Sequence, residues 1–352
     1  MQYYDYIGVI HFHSAFSFDG HVGLDKIINA AAKNSIDFLM LTDHDHLQAR
    51  DEGWEGWHGD VLLIVGEEIS PRFNHYLAFN IEKPVKSPDN DEDMQPQRYI
   101  DAVNSSGGFG FISHPDHEGT KTFHVKHYPW TDWSVDGYAG ISIWDFMTDW
   151  QSSLKGYLPS LLSFLFPALF LRGPRRITLA RWDALNQNKK IVGIGELDNH
   201  GSIVKIGAFK IAAFPFSRAF QFVHTHICTQ EPLSGNHQKD ISLLFNALRH
   251  GRCYAAMEYF QPARGFSFFI SAHNVDYSMG DELFFEDKAR IFISLPGPAL
   301  VRIIRNGLLF AEATGREIIL PVGERGVYRV EAYLKKYGKY RPWIFSNPVF
   351  VR

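Results

Sequence analysis

The chain has 352 residues, 45% of them hydrophobic and 21% charged, a composition that predicts a packed core and excludes a disordered chain. Its 35 Lys and Arg against 39 Asp and Glu give a formal net charge of -4 with no block of like charge. Nothing in this balance favours a nucleic-acid backbone or an anionic membrane as a partner.

Two cysteines, Cys228 and Cys253, cannot form a disulfide framework and lack Cys-x-x-Cys spacing, which indicates a reducing compartment. The first residues lack the basic flank and long apolar core of a signal peptide, so we expect a cytoplasmic protein. The sequence does not determine the oligomeric state.

Short apolar runs alternate with helical patterns over the first two thirds of the chain. Seven runs are predicted to be strands, at 6–11, 38–43, 61–68, 76–80, 109–114, 140–144 and 191–198. Helices are predicted within 23–36, 95–108 and 179–190. Apolar strands alternating with helices predict parallel pairing with both sheet faces covered. Seven such strands suit a closed barrel better than an open sheet.

The most apolar segment is residues 152–175, which Pro159 and Pro167 interrupt. Its uninterrupted apolar part is too short to cross a bilayer, so no transmembrane segment is expected. We expect a buried helical hairpin or a lid over the site, with an interfacial membrane contact as the minor alternative. Further along the chain, the pair His224 and His226 repeats the alternate spacing of a strand and is interpreted as part of an additional buried strand.

From residue 262 onward the apolar runs are short, alternating, and separated by Gly, Asn and Pro. This texture predicts antiparallel strands, and we expect a small sandwich domain at 262–352 after a first domain at 1–261.

Most predicted strands of the first domain end in groups that can bind a metal. His11 and His13 lie two apart on a strand, so both imidazoles point to one face and can reach one ion. Further donors follow in chain order: Asp19 in the next loop, Asp43, His44 and Asp45, Glu67 and Glu68, His75, His114, and Asp198 with His200.

Each of these motifs alone has a structural interpretation, as a helix N-cap, a turn or a strand end. Their recurrence at successive strand ends favours a shared metal site. Imidazole with carboxylate suits zinc, manganese or iron, and so many groups exceed the four to six ligands of one ion, so we expect two or three divalent ions.

These motifs resemble the polymerase-and-histidinol-phosphatase (PHP) family of metallophosphoesterases. The resemblance rests on His-x-His-Ser-x-x-Ser-x-Asp-Gly from residue 11, Thr-Asp-His-Asp from 42, Gly-x-Glu-Ile-Ser from 66, His-Pro from 114 and Asp-x-His from 198. It implies an α/β protein with a distorted seven-stranded (β/α) barrel and a two- or three-metal centre, and the small C-terminal antiparallel β-sandwich resembles an accessory domain of some members. The implied metal ligands are His11, His13, Asp19, His44, Glu68, His75, His114, Asp198 and His200.

Glu68 is preferred over Glu67 because it occupies the Glu of Gly-x-Glu-Ile-Ser. The chain departs from the family where small residues usually precede the last Asp-x-His, since Glu196 and Leu197 stand there. We expect this departure to bear on substrate choice more than on metal binding.

The resemblance implies hydrolysis of a phosphate ester of a small metabolite or nucleotide by a metal-bound hydroxide. Asp43 and Asp45 are candidates to orient a ligand imidazole, and His21 and His46 are candidate general acids. Arg175, with its neighbours Arg172 and Arg176, is a candidate phosphate contact, with a solvated basic turn as the alternative interpretation.

Two other functions use the same donor chemistry. An amidohydrolase-type enzyme would cleave a C–N or carboxylic ester bond, but the motif order and the missing carboxylated-lysine context favour phosphate. A non-catalytic metal-stabilised scaffold would tolerate the loss of several ligands, and the sequence keeps all of them.

Overall fold

The computed structural model describes residues 3–86, 95–121, 125–206, 209–212 and 214–352. Its first strands are β1 (Tyr4–Ile10), β2 (Phe38–His44), β3 (Gly56–His58), β4 (Val61–Ile69), β5 (Tyr76–Phe79), β6 (Phe109–Ile112), β7 (Gly140–Asp145), β8 (Val192–Glu196), β9 (Ile203–Ile206), β10 (Phe209–Ala212), β11 (Val223–Thr229) and β12 (Cys253–Met257). The helices are α1 (Leu24–Lys33), α2 (Gln48–Asp51), α3 (Pro96–Ser105), α4 (Phe146–Gln151), α5 (Tyr157–Leu165), α6 (Pro167–Phe170), α7 (Arg176–Asn188), α8 (Phe216–Ala219) and α9 (His237–Arg249).

The chain is a mixed α/β protein with a large sheet, as the alternating pattern predicts. β1 pairs in parallel with β2, β2 with β4, β6 with β7 and β7 with β8. The expectation of parallel pairing throughout is wrong at β5, which is antiparallel to both β4 and β6. Only residues 70–75 separate β4 from β5, too few for the crossover that parallel neighbours require.

Both faces of this sheet are buried, as the continuous apolar runs predict. Along β2, Leu39 and Leu41 join the hydrophobic cluster that includes Ile27 and Ala31 of α1. Phe38 and Met40, which point to the opposite face, join a cluster with Leu244 and other residues of α9. Helical residues therefore cover one face and contribute to the core on the other.

The segments after β1 and β8 meet directly. Leu197 N donates to Ile10 O at 3.0 Å, and Asp198 N donates to His11 O at 2.8 Å. Phe12 and Asn199 then form an isolated parallel bridge. These bonds place the histidines that follow β1 beside the Asp-x-His that follows β8.

The last third of the chain is strand-rich, with β13 (Ser267–Ala272), β14 (Val275–Ser278), β15 (Glu282–Leu283), β16 (Arg290–Arg305), β17 (Leu308–Pro321), β18 (Gly326–Lys336), β19 (Lys339–Ser346) and β20 (Val349–Val351). Its pairings are antiparallel except that of β15 with β20. Asn306 and Gly307, both at positive φ, form the two-residue turn between the long strands β16 and β17. β12 pairs with β19, so the sheet continues past residue 262, and the domain boundary after 261 stays a prediction.

The apolar segment at 152–175 forms α5 and α6, but the expectation that it is a buried hairpin is wrong. Phe164 of α5 packs against the core beside Phe214, but the other large apolar side chains of the helix face outward, and its buried positions are Ser160 and Ser163. Burial of serine is tolerated here because Ser160 Oγ donates to Gly156 O at 2.6 Å and Ser163 Oγ to Ser160 O at 2.9 Å. The alternative of a lid over the site stays a prediction. Within the described ranges, none of the helices combines the length and apolar character that a bilayer crossing needs.

β11 is the additional buried strand expected from the pair His224 and His226. The His226 ring is fully buried, with Nδ1 2.8 Å from Asp5 Oδ1 and Nε2 3.1 Å from Glu258 Oε1. Tyr254 also donates to the Asp5 carboxylate at 2.7 Å. Burial lowers the pKa of His226, but Asp5 and Glu258 outweigh burial and raise this pKa from 6.5 to about 9. This buried ion-pair network ties β1, β11 and the segment after β12 together.

The raised pKa of His226 predicts a pH dependence of stability. A folded-state pKa above the ordinary value contributes stability that is complete below pH 6.5 and is lost as the pH rises through 9. We expect the wild type to lose up to about 3 kcal/mol of unfolding free energy over this window through His226, and His226→Gln to lose correspondingly less. Urea unfolding followed by circular dichroism at pH 6.5 and 9 measures the difference.

The matched control is His273→Gln, because His273 pairs with Glu286 but its side chain is 69% exposed. This variant should lose as much stability as the wild type between the two pH values. Equal losses in the wild type and His226→Gln would contradict the assignment.

Candidate metal centre

The carboxylate of Glu68, at the end of β4, lies at the centre of a ring of imidazoles. Its side chain is 1% exposed, so it has almost no contact with water. Five imidazole nitrogens lie within 3.3 Å of its two oxygens: His75 Nδ1 at 2.9 Å, His44 Nδ1 and His114 Nε2 at 3.2 Å, and His11 Nε2 and His13 Nε2 at 3.3 Å. The structure thus places Glu68 among the imidazoles.

Two further carboxylates extend this cluster toward the residues after β8. Asp198 Oδ1 lies 3.3 Å from His11 Nε2, 3.5 Å from His13 Nε2 and 3.7 Å from His200 Nδ1. Asp19 Oδ2 lies 3.2 Å from His200 Nε2 and 3.3 Å from His44 Nε2. The structure therefore brings together all nine groups that the sequence nominates as ligands.

Protons alone cannot account for these contacts. His11 Nε2 lies 3.2 Å from His13 Nε2 and 3.3 Å from a carboxylate oxygen of both Glu68 and Asp198. A ring nitrogen carries at most one proton and cannot donate to three acceptors. Ligands about 2.1 Å from one ion lie about 3.0–3.4 Å apart, in octahedral or tetrahedral arrangement respectively. The observed separations match, so the residues present fit a bound divalent cation.

The donors form four overlapping groups, each with ligand atoms within 4.8 Å of one another. The groups are His13, Asp19, His44 and His200; His11, His114 and Asp198; His11, His13 and Glu68; and Glu68, His75 and His114. Because Glu68, His11, His13 and His114 each belong to two groups, the arrangement resembles adjacent sites that share ligands.

Charge is strongly coupled across the cluster. Burial raises the pKa of Glu68, but His11 and His75 outweigh burial and lower it well below the ordinary value. Burial lowers the pKa of His11, but Glu68, Asp198 and Glu196 together raise it well above the ordinary value. The carboxylates are therefore ionised at neutral pH, and protons compete with metal cations for the imidazoles.

The backbone at the cluster adopts left-handed conformations that residues other than glycine rarely adopt. His11 has φ 65° and Asp198 has φ 53°, while Asp45, just after His44, has φ 55°. Such left-handed residues cost on the order of 1–3 kcal/mol each and concentrate at functional sites. Here the turn directs His11 and Asp198 toward each other at the ends of their strands.

Glu196, which the sequence analysis linked to substrate choice, lies directly behind the ligands. Its fully buried carboxylate is 3.0 Å from His11 Nδ1 and accepts a hydrogen bond from His114 N at 2.6 Å. Ser113 Oγ also donates to it at 3.1 Å. Glu196 thereby orients one candidate ligand ring and the backbone of another. The signal in the sequence was a glutamate two residues before Asp198, on the same side of the extended chain.

Asp43 does not orient an imidazole, which corrects the expectation from sequence. Its carboxylate accepts hydrogen bonds from Ser14 N and Ser14 Oγ, both at 2.7 Å, and so holds the loop after β1. Asp45 accepts from Ser70 Oγ at 3.3 Å. Both carboxylates therefore fix the loops that carry ligands.

The remaining candidates lie outside the ring of donors. His46 Nε2 contacts Phe16 O at 3.1 Å, and its Nδ1 accepts from Gln48 N at 3.3 Å. His21 is exposed, and its backbone N donates to His200 O at 3.2 Å. Arg175 donates to Asp116 O and pairs with Glu118, so its guanidinium is engaged by the segment that follows His114.

The cluster opens to solvent on one side. His11 and His13 are fully buried, whereas His200 is 21% and Asp19 36% exposed. Phe18 is 84% exposed and stacks on His44 at 4.9 Å between ring centroids. Solvent therefore reaches the donors from the side of Asp19 and His200.

A cation without a sequence motif, Arg72, lies near Tyr128, whose ring packs beside His75. The Tyr128 ring is 5.2 Å from the His75 ring, and the guanidinium of Arg72 lies 5.3 Å from the centre of Tyr128. Burial raises the pKa of Tyr128, and the nearby Asp19, Asp198 and Glu68 raise it further while Arg72 lowers it. Arg72 had no signal in the sequence, because it stands in a loop outside the recognisable motifs.

Comparison with known proteins finds matches among solved structures. A two-domain protein from Bacteroides vulgatus containing a predicted PHP-like metal-dependent phosphoesterase is 15% identical, with a TM-score of 0.43, covering 98% of this chain and 95% of that one. A provisionally assigned metal-dependent phosphoesterase from Bifidobacterium adolescentis is 14% identical, with a TM-score of 0.32, covering 55% and 88%. An amidohydrolase from Chromobacterium violaceum with bound sulfate and no metal is 14% identical, with a TM-score of 0.31, covering 55% and 87%.

The family named from the motifs thus appears among the structural neighbours of the chain, in a protein described as containing a predicted PHP-like metal-dependent phosphoesterase. No family model and no curated protein matches the chain. At these identities and TM-scores the likeness assigns no activity to this protein.

The position of Glu68 predicts its effect on metal affinity. Glu68→Gln should weaken binding of at least one ion by about 100-fold or more, beyond the range usual for groups that only orient ligands. Isothermal titration with Zn²⁺ or Mn²⁺ measures this loss. Glu67→Gln is the matched control, since burial raises the pKa of Glu67 to about 8 and its carboxyl accepts from Val85 N. Similar affinities in the two variants would show that Glu68 is not a ligand.

The contacts of Glu196 predict a smaller effect. Glu196→Gln should weaken metal affinity by about 10–100-fold, because the amide cannot anchor the His11 ring as the carboxylate does. Glu196→Asp, which keeps the charge but shortens the side chain, should bind more tightly than the amide variant. Metal titration of both variants measures the effect, and wild-type affinity in Glu196→Gln would refute the orienting role.

Proposed function

We propose that this protein is a metal-dependent phosphoesterase of PHP type that hydrolyses a phosphate ester of a small metabolite or nucleotide. The observation that carries this proposal is the buried ring of imidazoles around Glu68, with separations suited to shared cations. The proposed architecture is a distorted seven-stranded barrel at 1–261 with a small β-sandwich at 262–352. The bonds from Leu197 and Asp198 back to the end of β1 support closure of the barrel.

The proposed ligands are the nine groups around this ring, and the proposed occupants are two or three ions of zinc, manganese or iron. The overlap of the four donor groups supports more than one ion. The ligands are His11, His13, Asp19, His44, Glu68, His75, His114, Asp198 and His200. Both cysteines are free and buried, which supports a reducing, cytoplasmic compartment.

Divalent ions at this centre supply Lewis acidity and a hydroxide nucleophile near neutral pH. The chain itself positions the reacting groups. Glu196 fixes the ring of His11, while the exposed edges of Asp19 and His200 leave an approach for a substrate. The Tyr128 ring packs beside His75, and the guanidinium of Arg72 lies 5.3 Å from the centre of that ring, so this cation suits a phosphoryl group better than a neutral amide.

A screen of phosphomonoesters and phosphodiesters with added Mn²⁺ or Zn²⁺, after metal analysis of the purified protein, tests the proposal. We expect turnover on at least one phosphoester, and its loss together with bound metal in the double variant His11→Ala/His13→Ala. The matched control is His237→Ala/His250→Ala, which removes two exposed histidines at the ends of α9 and should keep both properties.

Each other outcome excludes the proposal in a defined way. Turnover on amides or carboxylic esters but on no phosphoester would establish an amidohydrolase-type enzyme. Stoichiometric metal without turnover on any of these substrates would establish a metal-stabilised scaffold. Activity retained by the double histidine variant would place the chemistry elsewhere.

A further inference from the structure

A continuous set of large apolar side chains lies exposed on α5 and α6. We call this surface the α5–α6 patch, and its side chains are 39–84% exposed. Its members are Tyr157, Leu158, Leu161, Leu162, Leu165, Phe166 and Leu169. Soluble proteins rarely expose so many adjacent large apolar groups without a binding function.

The orientation of α5 is the reverse of an ordinary surface helix. Its inward positions are Ser160 and Ser163, whose hydroxyls are satisfied by backbone carbonyls within the helix. Trp150 Nε1 donates to Ser163 O at 3.3 Å, and this hydrogen bond holds the polar face of α5 against α4. The leucines are therefore presented outward by specific contacts, and the fold does not use them as core.

The surroundings of the patch are positively charged. The chain has no Asp or Glu between Asp149 and Asp183, but it has five basic residues there: Lys155, Arg172, Arg175, Arg176 and Arg181. Lys155, Arg172 and Arg176 are exposed. Arg175 and Arg181 pair with Glu118 and Asp116, so Lys155, Arg172 and Arg176 supply the exposed positive charge of this segment, opposite in sign to the net charge of the whole chain.

Two basic residues from other parts of the chain also reach the patch. Arg218 Nη2 donates to Leu165 O at 2.9 Å, and Arg341 Nη1 donates to Leu169 O at 2.7 Å. The adjoining groove after α6 is lined by Arg172, Lys339 and Arg341. An apolar centre with a basic rim is the pattern of a surface that lies on an anionic bilayer, with apolar side chains at acyl depth and cations at the headgroups.

We propose that the α5–α6 patch docks this protein onto the surface of an anionic lipid bilayer. Charge favours this occupant over a second copy of the chain. A symmetric dimer through the patch would place the same basic rim against itself, and like charges across an interface oppose association. α5 has nine residues, so the helix lies along the interface without crossing it.

Vesicle co-sedimentation tests the proposal, with vesicles of phosphatidylcholine alone and with added phosphatidylglycerol. We expect the wild type to bind the anionic vesicles at least about tenfold more tightly, and this preference to weaken with salt. Leu158→Gln/Leu161→Gln/Leu165→Gln should weaken binding at least about tenfold, through lost apolar burial. Lys155→Gln/Arg176→Gln should weaken binding to the anionic vesicles alone, at roughly fivefold per residue.

The matched control is Leu308→Gln/Ile319→Gln, which removes two exposed apolar side chains of β17 outside the patch and should leave binding unchanged. Metal affinity of each variant shows that the fold is retained. Failure of the wild type to bind vesicles, equal binding to both vesicle types, or unchanged binding by the leucine variant would overturn the proposal. A dimer in light scattering that the leucine variant dissociates, with no vesicle binding, would make a second copy the occupant.

Discussion

The burial of an ionised carboxylate, Glu68, is the constraint on which the candidate centre depends. A buried carboxylate is costly unless positive charge lies beside it, and here five imidazole nitrogens surround it. Those nitrogens cannot all carry protons, because they crowd one another as well as the carboxylates. Shared divalent cations would satisfy the nitrogens and the carboxylates together, which protons cannot. The cluster is therefore a candidate site for such cations.

The fold gathers the donors around Glu68 because the strand ends that carry them lie against one another. The bonds from Leu197 and Asp198 to the end of β1 bring residues nearly 190 positions apart into contact. Left-handed backbone at His11 and Asp198 then turns their side chains inward. Glu196 binds both His11 and the backbone of His114, so it joins the first, sixth and eighth strands at the level of the donors. Strain at the strand ends is offset by these long-range hydrogen bonds.

Local pattern was enough to predict the seven strands and three of the helices. The nine donors came from the positions of polar residues after these strands together with the family resemblance, and the structure brings these groups together. Local pattern did not predict the roles of Glu196 and Asp43, because each role depends on which distant segment packs against the residue. Asp43 follows a strand as a ligand would, yet its carboxylate binds Ser14, from the loop after a neighbouring strand. The reversal of β5 was missed because the prediction weighed apolar runs above the shortness of the link at 70–75.

Hydropathy and net charge did not predict that most large apolar side chains of α5 face outward or that basic residues lie beside them. An apolar segment is ordinarily part of the core. In α5 the polar face is buried instead, because the hydroxyls of Ser160 and Ser163 donate to backbone carbonyls of the same segment. The net charge of -4 describes the whole chain and not the region around the α5–α6 patch. Carboxylates such as Glu68 and Glu196 are buried and contact the clustered imidazoles, whereas Lys155, Arg172 and Arg176 are exposed at the surface. The net charge of a chain therefore does not identify its partner, because the burial and position of each charged side chain decide which charges a partner meets.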